Sequence, residues 1–446
     1  MVLPATNNHS QALDKRAALY TLGCRLNQTE TRLIEDQLRV AGYRIVPFGE
    51  PAELGVIHTC VVTREAEAKS RKIIRRFIRA NPGAITAVIG CFAQTDAAAL
   101  ADIPGVTLVL GNEAKMCLAE HLDAVTDTGP VVAHAPLGNN SFTVPFISNG
   151  PPLTRRANLK IQDGCDCMCA YCYVPFARGR SRSRRLSDVF EEASSLVRRG
   201  ARELVLTGVN IGDFRDGAYG LTALVDQLDT LCPKPRIRLS SIELSNMPVE
   251  LLERMASRAH GLVPHLHMPL QSGSARVLRA MGRPYAPEEY LDFMRHAATS
   301  VPGIGLGADV MVGFPGEGDD DFQATCALIQ QCPLFYLHVF QFSERPGVAA
   351  TRLPNKVAAQ TMHERSAILL AINRVKMLEF QNQWIGCSVD VLFESLKRGC
   401  WRGHAGNYLE IAVETEENLQ NAIASVRVER LRDGMLFGAI ENTQPH

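Results

Sequence analysis

Four cysteines lie within the short stretch GCDCMCAYC, and three of them, Cys165, Cys169 and Cys172, have a spacing that suits a metal cluster. A structural zinc site takes four ligands, usually as two separated pairs, and the sequence contains no second close pair of cysteines. Three thiolates on one loop suit an iron–sulfur cube, because they hold three irons and leave the fourth iron open. We therefore predict a cluster with an open iron, with a structural metal knuckle as the alternative.

Cys167 lies inside the same stretch and has two possible roles. It could replace one of its neighbours as a cluster ligand. However, alternation along an extended loop would turn its side chain away from the other three cysteines. We predict that Cys167 is not a ligand.

A second set of cysteines is dispersed along the N-terminal part of the chain. Cys24, Cys60 and Cys91 each end a short apolar stretch: ALYTLGC, LGVIHTC and TAVIGC. In a doubly wound parallel sheet the carboxyl ends of successive strands lie along one edge, so the three thiolates can meet despite their separation in sequence. Each cysteine alone would be read as a small buried side chain. Their equivalent positions in three units instead predict a second cluster with one open iron.

The elements that must position these cysteines alternate between short apolar runs and amphipathic stretches. From residue 17 to 115 this rhythm is typical of parallel strands joined by helices. Beyond a segment rich in Gly, Pro, Asn and Ser, six strand-like runs predict a curved parallel sheet or partial barrel, with functional residues at the carboxyl ends of the strands. After a long helical stretch, the pattern changes to short alternating strands that are typical of a small β-barrel.

The predicted fold class is therefore α/β, with an N-terminal doubly wound parallel sheet, a central partial (βα)6 barrel and a small C-terminal all-β barrel. The domain boundaries follow the changes in pattern. They are a flexible N-terminus at 1–16, an N-terminal domain at 17–130, a linker at 131–152, a central domain with a bridging helix at 153–384, and a C-terminal domain at 385–446.

The composition is that of a folded protein without a global excess of charge. Apolar residues make up 46% of the 446 residues, and 47 basic residues balance 47 acidic ones. This excludes a disordered chain and a globally basic nucleic-acid coat, so any RNA site must be local. The first residues lack the features of a signal peptide, and no apolar run is long enough to span a membrane. We expect a cytoplasmic protein, in which the 13 cysteines do not form a disulfide framework.

The motifs together resemble one family. The stretch GCDCMCAYC is similar to the three-cysteine signature of the radical SAM superfamily, and with GCRLNQTET, IHTCVVTREAEAKSRK and VIGCFAQ the chain resembles the methylthiotransferases. The similarity continues through YCYVPFARGRSRSR, ELVLTGVNIG, RIRLSSIE, HLHMPLQSGS, DVMVGFPGE and FSERPG, and ends in GHAGNYLEI, which resembles a TRAM domain. Departures are His58, where the family commonly has Asn, the additional Cys167, and RPGVAAT in place of the more common RPGT pattern.

The resemblance implies a reaction and its cofactors. It implies two [4Fe-4S] clusters on the six cysteines, S-adenosyl-L-methionine as cofactor, and no catalytic residue beyond the cluster ligands. The residues in these motifs are most similar to those of the branch that methylthiolates N6-threonylcarbamoyladenosine beside the anticodon. Alternatives are action on isopentenyladenosine or on a ribosomal-protein aspartate, or a non-catalytic iron–sulfur RNA-binding protein. Implied partners are the tRNA anticodon arm, an electron donor such as flavodoxin or ferredoxin, and a sulfur donor; we expect a monomer without membrane contact.

The resemblance and the predicted strand ends also suggest cofactor-binding residues. An aromatic residue before the third cysteine commonly borders the adenine in radical SAM proteins, and a core tyrosine is the alternative. Residues at the carboxyl ends of strands offer close backbone approach or hydrogen bonds. The expected residues are Tyr171, Thr207, Gly208, Ser240, Glu243 and Gln271.

A run of arginines follows the cysteine loop without an acidic interruption. A solvated face is the usual interpretation of such a run, but this one adjoins the expected site and precedes a helix, so we predict contacts with RNA phosphates. The C-terminal segment resembles RNA-binding TRAM domains and adds two residues. The predicted RNA contacts are Arg178, Arg180, Arg182, Arg184, Arg185, Arg402 and Tyr408.

Overall fold

The computed structural model describes residues 15–126, 129–138, 141–148, 152–153 and 156–443. The predicted flexible N-terminus lies outside this part of the chain except for its last two residues, and so does part of the predicted linker. No helix in the described part combines the length and the apolar character that crossing a lipid bilayer requires.

The N-terminal part forms a six-stranded, fully parallel sheet in the spatial order β2, β1, β3, β4, β5, β6. Its strands are short and almost entirely apolar, as expected for a sheet that is covered on both faces. They are β1 (Arg16–Thr21), β2 (Arg44–Val46), β3 (Leu54–Thr59), β4 (Ile85–Gly90), β5 (Leu108–Leu110) and β6 (Val131–Ala133).

Helices cover both faces of this sheet because successive residues of each strand enter different cores. Ile57 packs with Phe77 in one core, whereas its neighbour Val56 packs with Ile34 in the other. The predicted doubly wound arrangement is therefore confirmed. The helices are α1 (Arg25–Val40), α2 (Arg64–Ala80), α3 (Cys91–Thr95), α4 (Ala97–Ala101) and α5 (Leu118–Leu122), with a 3-10 turn at Ala114–Cys117.

The central part contains two groups of three parallel strands, β7, β10, β13 and β14, β15, β16, with short two-stranded pairs beside them. Backbone hydrogen bonds join the groups: Ile237 N–H donates to Gly261 O at 2.7 Å, and Ile242 N–H donates to His267 O at 3.0 Å. The result is the predicted open barrel of six strands. The strands are β7 (Ala157–Lys160), β8 (Gln162–Asp163), β9 (Arg182–Ser183), β10 (Glu203–Thr207), β11 (Arg215–Asp216), β12 (Tyr219–Gly220), β13 (Arg236–Leu239), β14 (His265–His267), β15 (Gly305–Val312) and β16 (Tyr336–Gln341).

Helices cover the outside of these strands, and one buried hydrophobic cluster runs through the whole layer. Its strand residues include Leu206, Leu266 and Ala308, so the residues that alternate with them face the concave side of the barrel. The helices are α6 (Val174–Arg178), α7 (Leu186–Arg198), α8 (Leu221–Asp229), α9 (Glu250–Ala256), α10 (Ala275–Met281), α11 (Pro287–Ser300), α12 (Asp319–Gln331) and α13 (Ala359–Asn382), with 3-10 turns at Ile211–Asp213, Leu244–Asn246 and Ala349–Arg352.

The C-terminal part is a closed five-stranded barrel in the order β17, β18, β19, β21, β20. Alternate residues such as Val391, Phe393 and Ile411 fill its interior. Gly403 is required here, because a Cβ at this position would lie 2.2 Å from Leu392 O on the neighbouring strand. The strands are β17 (Ser388–Lys397), β18 (Cys400–Ala405), β19 (Glu410–Glu414), β20 (Ile423–Arg432) and β21 (Met435–Thr443).

Candidate functional site

The loop with four cysteines leaves the carboxyl end of β7, the first strand of the central barrel. Gly164 starts it with a φ of +73°, and a Cβ there would lie 1.9 Å from Arg180 O, so only glycine fits. Cys165 N–H then donates to Gly179 O at 3.1 Å, which ties the loop to the end of α6. The start of the loop is thus held against the end of α6 by a backbone contact.

Cys167 lies closer to the predicted ligands than alternation suggested. Its backbone N–H donates to Cys165 Sγ at 3.4 Å. A hydrogen bond from its thiol to Cys165, together with burial, raises the pKa of Cys167. The argument from an extended loop is therefore wrong, because Met168 has a left-handed φ of 46° and bends the chain back. That Cys167 is not a ligand stays a prediction.

The structure brings the second set of cysteines to one edge of the N-terminal sheet. Cys60 and Cys91 directly follow β3 and β4, and Cys24 follows β1 after Leu22 and Gly23. The three strands are neighbours in the sheet. Gly23, with a φ of +94°, precedes the first of them, and a Cβ there would lie 2.9 Å from Cys60 Sγ. Burial raises the pKa of the Cys60 thiol to about 11. The position of these three cysteines after predicted strands was enough to predict that they lie at one edge of the sheet.

The number of thiols distinguishes the candidate metals. The structure places three cysteines at neighbouring strand ends in one set and three on one loop in the other, each one fewer than the four ligands of a structural zinc ion. Three thiols suit an iron–sulfur cube, in which each thiolate binds a different iron. The residues present fit the two expected clusters.

Two asparagines that the sequence analysis missed hold the second cysteine set. Asn27 Nδ2 donates to Leu22 O at 2.8 Å and to Thr59 O at 3.1 Å, so it ties the ends of β1 and β3 together. Asn112 Nδ2 lies 3.7 Å from Cys91 Sγ and donates to Ala177 O at 2.6 Å. Most of these contacts join residues that are distant in sequence, so the sequence could not reveal them. The only indication of a role for Asn27 was its position in the motif GCRLNQTET.

A buried network of charges connects the two cysteine sets. Glu30, which is 0% exposed, accepts hydrogen bonds from Lys115 at 2.6 Å, from Lys160 at 2.7 Å and from Arg178 at 3.1 Å. Burial alone would raise its pKa, but these three cations lower it well below the usual value. Asp163, two residues before Cys165, accepts from Lys160 and Arg178 as well. The N-terminal sheet and the central barrel are thus docked by ion pairs beside both sets.

The structure corrects the predicted RNA contacts of the arginine run. Arg178 is 3% exposed and belongs to the Glu30 network, with Nη2 donating to Asn27 Oδ1 at 2.6 Å. Arg182 is 8% exposed and pairs with Glu113. Arg184 is 0% exposed and binds Asp188 at 2.7 Å and Glu192 at 2.6 Å. These three arginines cannot reach RNA phosphates, because their carboxylate partners, most of them distant in sequence, enclose them.

Only Arg180 and Arg185 of this run are exposed. The side chain of Arg180 is 61% exposed and lies 3.5 Å from Asp166. Arg185 stands at the N-terminal end of α7. These two arginines keep the predicted role in RNA contact.

Replacing Arg184 should test its structural role. In Arg184→Ala, Asp188 loses the Arg184 ion pair and Glu192 keeps only its contact with Arg32 at 3.0 Å, which should cost about 3 kcal/mol of unfolding free energy. The neighbouring Arg185→Ala is the matched control and should change stability by less than about 0.5 kcal/mol, because Arg185 is exposed. Thermal unfolding of both variants checks this. Equal midpoints would contradict the structural assignment and restore Arg184 as a candidate RNA contact.

Buried polar atoms without partners line the carboxyl ends of the central strands. Within the described residues, Ser240 Oγ, Gln271 Oε1 and both amide atoms of Asn210 have no hydrogen-bond partner. They follow β13, β14 and β10 respectively. Because buried polar groups are normally paired, this arrangement favours a polar ligand on the concave side. The atoms fit the expected S-adenosylmethionine, and Asn210 is an addition that the sequence analysis did not single out.

Other residues predicted to bind the cofactor have different environments. Glu243 pairs with Arg283, whose Nη1 lies 3.5 Å from Cys169 Sγ, so this ion pair borders the cysteine loop. Thr207 is buried, and its hydroxyl donates to Val205 O at 3.0 Å. Tyr171 is partly buried against an apolar cluster beside the loop. These residues remain predictions, with Glu243 the best placed of the three.

Gly208 has a structural explanation that the sequence did not reveal. A Cβ at this position would lie 2.8 Å from Gln162 Oε1. That oxygen accepts hydrogen bonds from the backbone of Val209 and Asn210, each at 2.9 Å. The glycine therefore makes room for a side chain of the protein, which accounts for it without a ligand.

The unpartnered hydroxyl of Ser240 gives a prediction that separates binding from folding. Ser240→Ala removes a buried polar atom that has no partner in the protein, so stability should not fall. If that hydroxyl binds S-adenosylmethionine, the Kd for this cofactor should rise about fivefold. Thr86→Val, which removes another unpartnered buried hydroxyl in the N-terminal sheet, should leave that Kd unchanged. Calorimetry on the reconstituted protein measures it, and an unchanged Kd for Ser240→Ala would exclude the contact.

The two C-terminal residues predicted to bind RNA differ in position. Arg402 has a side chain that is 30% exposed and lies 3.9 Å from Glu410. Tyr408 instead faces the other two parts of the chain: its hydroxyl accepts from Arg25 Nη2 at 2.6 Å, and its ring lies 4.8 Å from the ring of His265. Tyr408 therefore joins the C-terminal barrel to both the N-terminal sheet and the central barrel.

Comparison with family models matches two segments of the chain. Residues 159–329 match the radical SAM superfamily, and residues 16–111 match an uncharacterized protein family, UPF0004. The two segments contain all six predicted ligand cysteines, three in each. The division agrees with the two sites described above.

Curated proteins are similar over nearly the whole chain. The threonylcarbamoyladenosine tRNA methylthiotransferase MtaB of Bacillus subtilis (strain 168) is 34% identical and aligns with 92% of this chain and 93% of its own length. MtaB of Aquifex aeolicus is 35% identical, over 82% and 89%. The tRNA-2-methylthio-N(6)-dimethylallyladenosine synthase of Zymomonas mobilis is 33% identical, over 85% and 86%.

A solved structure supports the fold. TsrM of Kitasatospora setae, a radical S-adenosylmethionine methyltransferase determined with cobalamin and a [4Fe-4S] cluster, superposes with a TM-score of 0.54. It covers 76% of this chain and 77% of its own, at 15% identity. At this identity the likeness concerns the fold alone.

Proposed function

This chain belongs to the radical SAM methylthiotransferase family, and we propose that it inserts a methylthio group at carbon 2 of N6-threonylcarbamoyladenosine beside the anticodon of tRNA. It is an enzyme, a transferase that uses S-adenosylmethionine and two [4Fe-4S] clusters. The observation that carries the proposal is the presence of two sets of three thiols at the strand ends of two docked sheets, each set one ligand short of a closed cluster.

The protein's own residues hold and orient the reacting groups. Cys165, Cys169 and Cys172 would hold one cluster, and the dispersed set of cysteines would hold the other. When bound, the clusters and the cofactor supply radical chemistry at a carbon–hydrogen bond that no side-chain base can break, and the sulfur that is inserted. The chain contributes position: the Glu30 network fixes the spacing between the two sites, and Asn27 and Asn112 orient the second one.

The choice of substrate rests on the relatives. Several relatives named for threonylcarbamoyladenosine are 32–35% identical over most of the chain. Action on isopentenyladenosine is the alternative, because relatives named for dimethylallyladenosine also match, at 28–33% identity. A ribosomal-protein aspartate is left without support from these relatives.

We further propose that the tRNA anticodon arm crosses the exposed arginines and the C-terminal barrel. Arg180, Arg185 and Arg402 would contact RNA phosphates. Tyr408 would contact the RNA where the C-terminal barrel meets the other two parts of the chain. A tRNA substrate places the reaction in the cytoplasm. The proposal also includes two partners, a flavodoxin or ferredoxin as reductant and a separate sulfur donor. It further includes a monomeric state and the predicted domain boundaries.

Nucleoside mass spectrometry of tRNA tests the proposal in cells. A strain that lacks the gene should lose 2-methylthio-N6-threonylcarbamoyladenosine and accumulate the form without the methylthio group. Re-expression of the intact gene should restore it, whereas re-expression of the Cys91→Ala variant should not. Loss of a methylthio group from isopentenyladenosine instead would favour the alternative, and unchanged tRNA would overturn the proposed substrate class.

A further inference from the structure

One exposed cation lies between the second cysteine set and the central barrel. Arg25 directly follows the ligand Cys24 and begins α1. Its Nη2 donates to the Tyr408 hydroxyl at 2.6 Å, and its guanidinium carbon lies 5.7 Å from the centre of the Tyr408 ring. The side chain thus reaches from the edge of the N-terminal sheet to the residue that the C-terminal barrel places against the central barrel.

Beyond Tyr408, whose ring centre lies 6.2 Å from that of Tyr336, a chain of polar contacts crosses the concave side of the central barrel. The Tyr336 hydroxyl lies 2.7 Å from His267 Nδ1, and His267 Nε2 lies 3.1 Å from Asp309 Oδ1. The same oxygen lies 3.3 Å from Nδ1 of His338, whose side chain is 80% exposed. The residues that alternate with these on the strands belong to the buried core, so this polar surface faces the cavity. Arg25 joins this surface through Tyr408 and is itself exposed.

Most charged side chains on this surface have a partner of opposite charge, but Arg25 has none among the described residues. Arg156 and Arg238, which also approach the Tyr408 ring, are paired with Glu394 and Glu203 respectively. Asp309 is held by two histidines, and their hydrogen bonds help to lower the pKa of its carboxyl group. In contrast, no carboxylate within the described part of the chain forms a salt bridge with Arg25.

A guanidinium has five N–H donors in a planar fork, and the Tyr408 hydroxyl occupies one of them. The remaining donors of Arg25 are available to a planar anion, which an arginine binds with two parallel hydrogen bonds. The threonylcarbamoyl substituent carries such an anion, its terminal carboxylate. An isopentenyl substituent has no charge and no acceptor, and would leave the guanidinium of Arg25 without an anionic partner.

We propose that Arg25 binds the carboxylate of the threonylcarbamoyl group and thereby selects this nucleoside, with Tyr408 holding the guanidinium in place. This inference rests on the proposed function and deepens it. Charge-assisted hydrogen bonds of this kind should make RNA with the free carboxylate bind roughly 10- to 100-fold more tightly than RNA without it.

The test compares two anticodon stem-loops that differ only in charge. One carries N6-threonylcarbamoyladenosine and the other carries its methyl ester, which keeps the shape but removes the negative charge. Binding to the cluster-loaded protein is measured by fluorescence anisotropy without S-adenosylmethionine, so that no turnover occurs. The wild type should prefer the free acid by the factor given above, and Arg25→Gln should bind both RNAs with equal, weaker affinity. Iron and sulfide analysis confirms that Arg25→Gln keeps both clusters.

Arg279→Gln provides a matched control, because Arg279 is an exposed arginine in the last turn of α10. This variant should keep the wild-type preference for the free acid. The inference is overturned if Arg25→Gln weakens both RNAs by the same factor, which indicates a general phosphate contact, or if it retains the preference. It is also overturned if the wild type shows no preference.

Failure of the proposed function is recognised separately, in a turnover assay. If the wild type with S-adenosylmethionine and a reductant does not methylthiolate the threonylcarbamoyl stem-loop, the proposed substrate is wrong. If it does so while Arg25→Gln keeps the preference for the free acid, only the role of Arg25 is wrong.

Discussion

Replacing Cys165, Cys169 or Cys172 with alanine is expected to abolish both the reductive cleavage of S-adenosylmethionine and the formation of methylthiolated tRNA. Each thiol would bind a different iron of one cube, so two remaining thiols cannot hold it. Iron per chain should fall from about eight atoms to about four, because the second cluster would lie on another sheet and should survive. Iron analysis and EPR spectroscopy of the anaerobically reconstituted variants measure this loss.

Cys167→Ala is the matched control for this prediction. Cys167 lies in the same loop and contacts Cys165, so a general effect of loop substitution would affect it equally. We expect it to keep both clusters and most of the activity. Loss of a cluster in Cys167→Ala, with retention in Cys165→Ala, would contradict the assignment and make Cys167 the ligand.

Replacing Cys24, Cys60 or Cys91 should separate the two halves of the reaction. The first cluster and its cofactor site are intact in these variants, so S-adenosylmethionine should still be cleaved when reductant is supplied. No methylthio group should reach the tRNA, because the second cluster is the expected source of sulfur. The assay follows 5′-deoxyadenosine and methylthiolated nucleoside in the same reaction.

Cys326→Ala controls for loss of a buried cysteine. Cys326 is 7% exposed and lies in the core of the central part, where it has no predicted ligand role. It should keep both clusters and both activities, with some loss of stability. If Cys60→Ala still formed methylthiolated product, the second set would not be required and the account of the sulfur would be wrong.

The sequence predicted the features that depend on local pattern. Alternating apolar runs identified the parallel strands, and cysteines at the ends of β1, β3 and β4 predicted the second site because parallel strands end at one edge. The central barrel and the C-terminal barrel followed from the same kind of pattern. These features could be predicted because regular strands and helices determine where a residue lies once its position in the element is known.

The arginine run shows where such reasoning fails. No acidic residue interrupts the run, yet Arg178 meets Glu30 from α1, 148 positions away, and Arg184, just before α7, meets Asp188 and Glu192 in that helix. Burying an arginine requires paired carboxylates. The pair of Arg178 with Glu30 forms only when the two sheets dock, and that of Arg184 with Glu192 forms only when α7 packs beside it. A charge pattern along the chain does not reveal tertiary partners, and therefore suggested a solvent-facing surface.

The same limit explains why Arg25 and Cys167 needed the structure. The role proposed for Arg25 depends on Tyr408, which lies 383 positions away in sequence. The loop around Cys167 departs from an extended path, with a left-handed backbone at Met168, an unusual conformation for a residue with a side chain. Neither feature follows from periodicity.

A competition experiment tests the central claim most directly. The reconstituted enzyme is given S-adenosylmethionine, a reductant and equal amounts of two anticodon stem-loops, one with N6-threonylcarbamoyladenosine and one with N6-isopentenyladenosine. Mass spectrometry of the digested RNA then reads out both products. We predict a mass increase for one methylthio group on the threonylcarbamoyl nucleoside alone. Methylthiolation of the isopentenyl nucleoside, or of neither, would contradict the account.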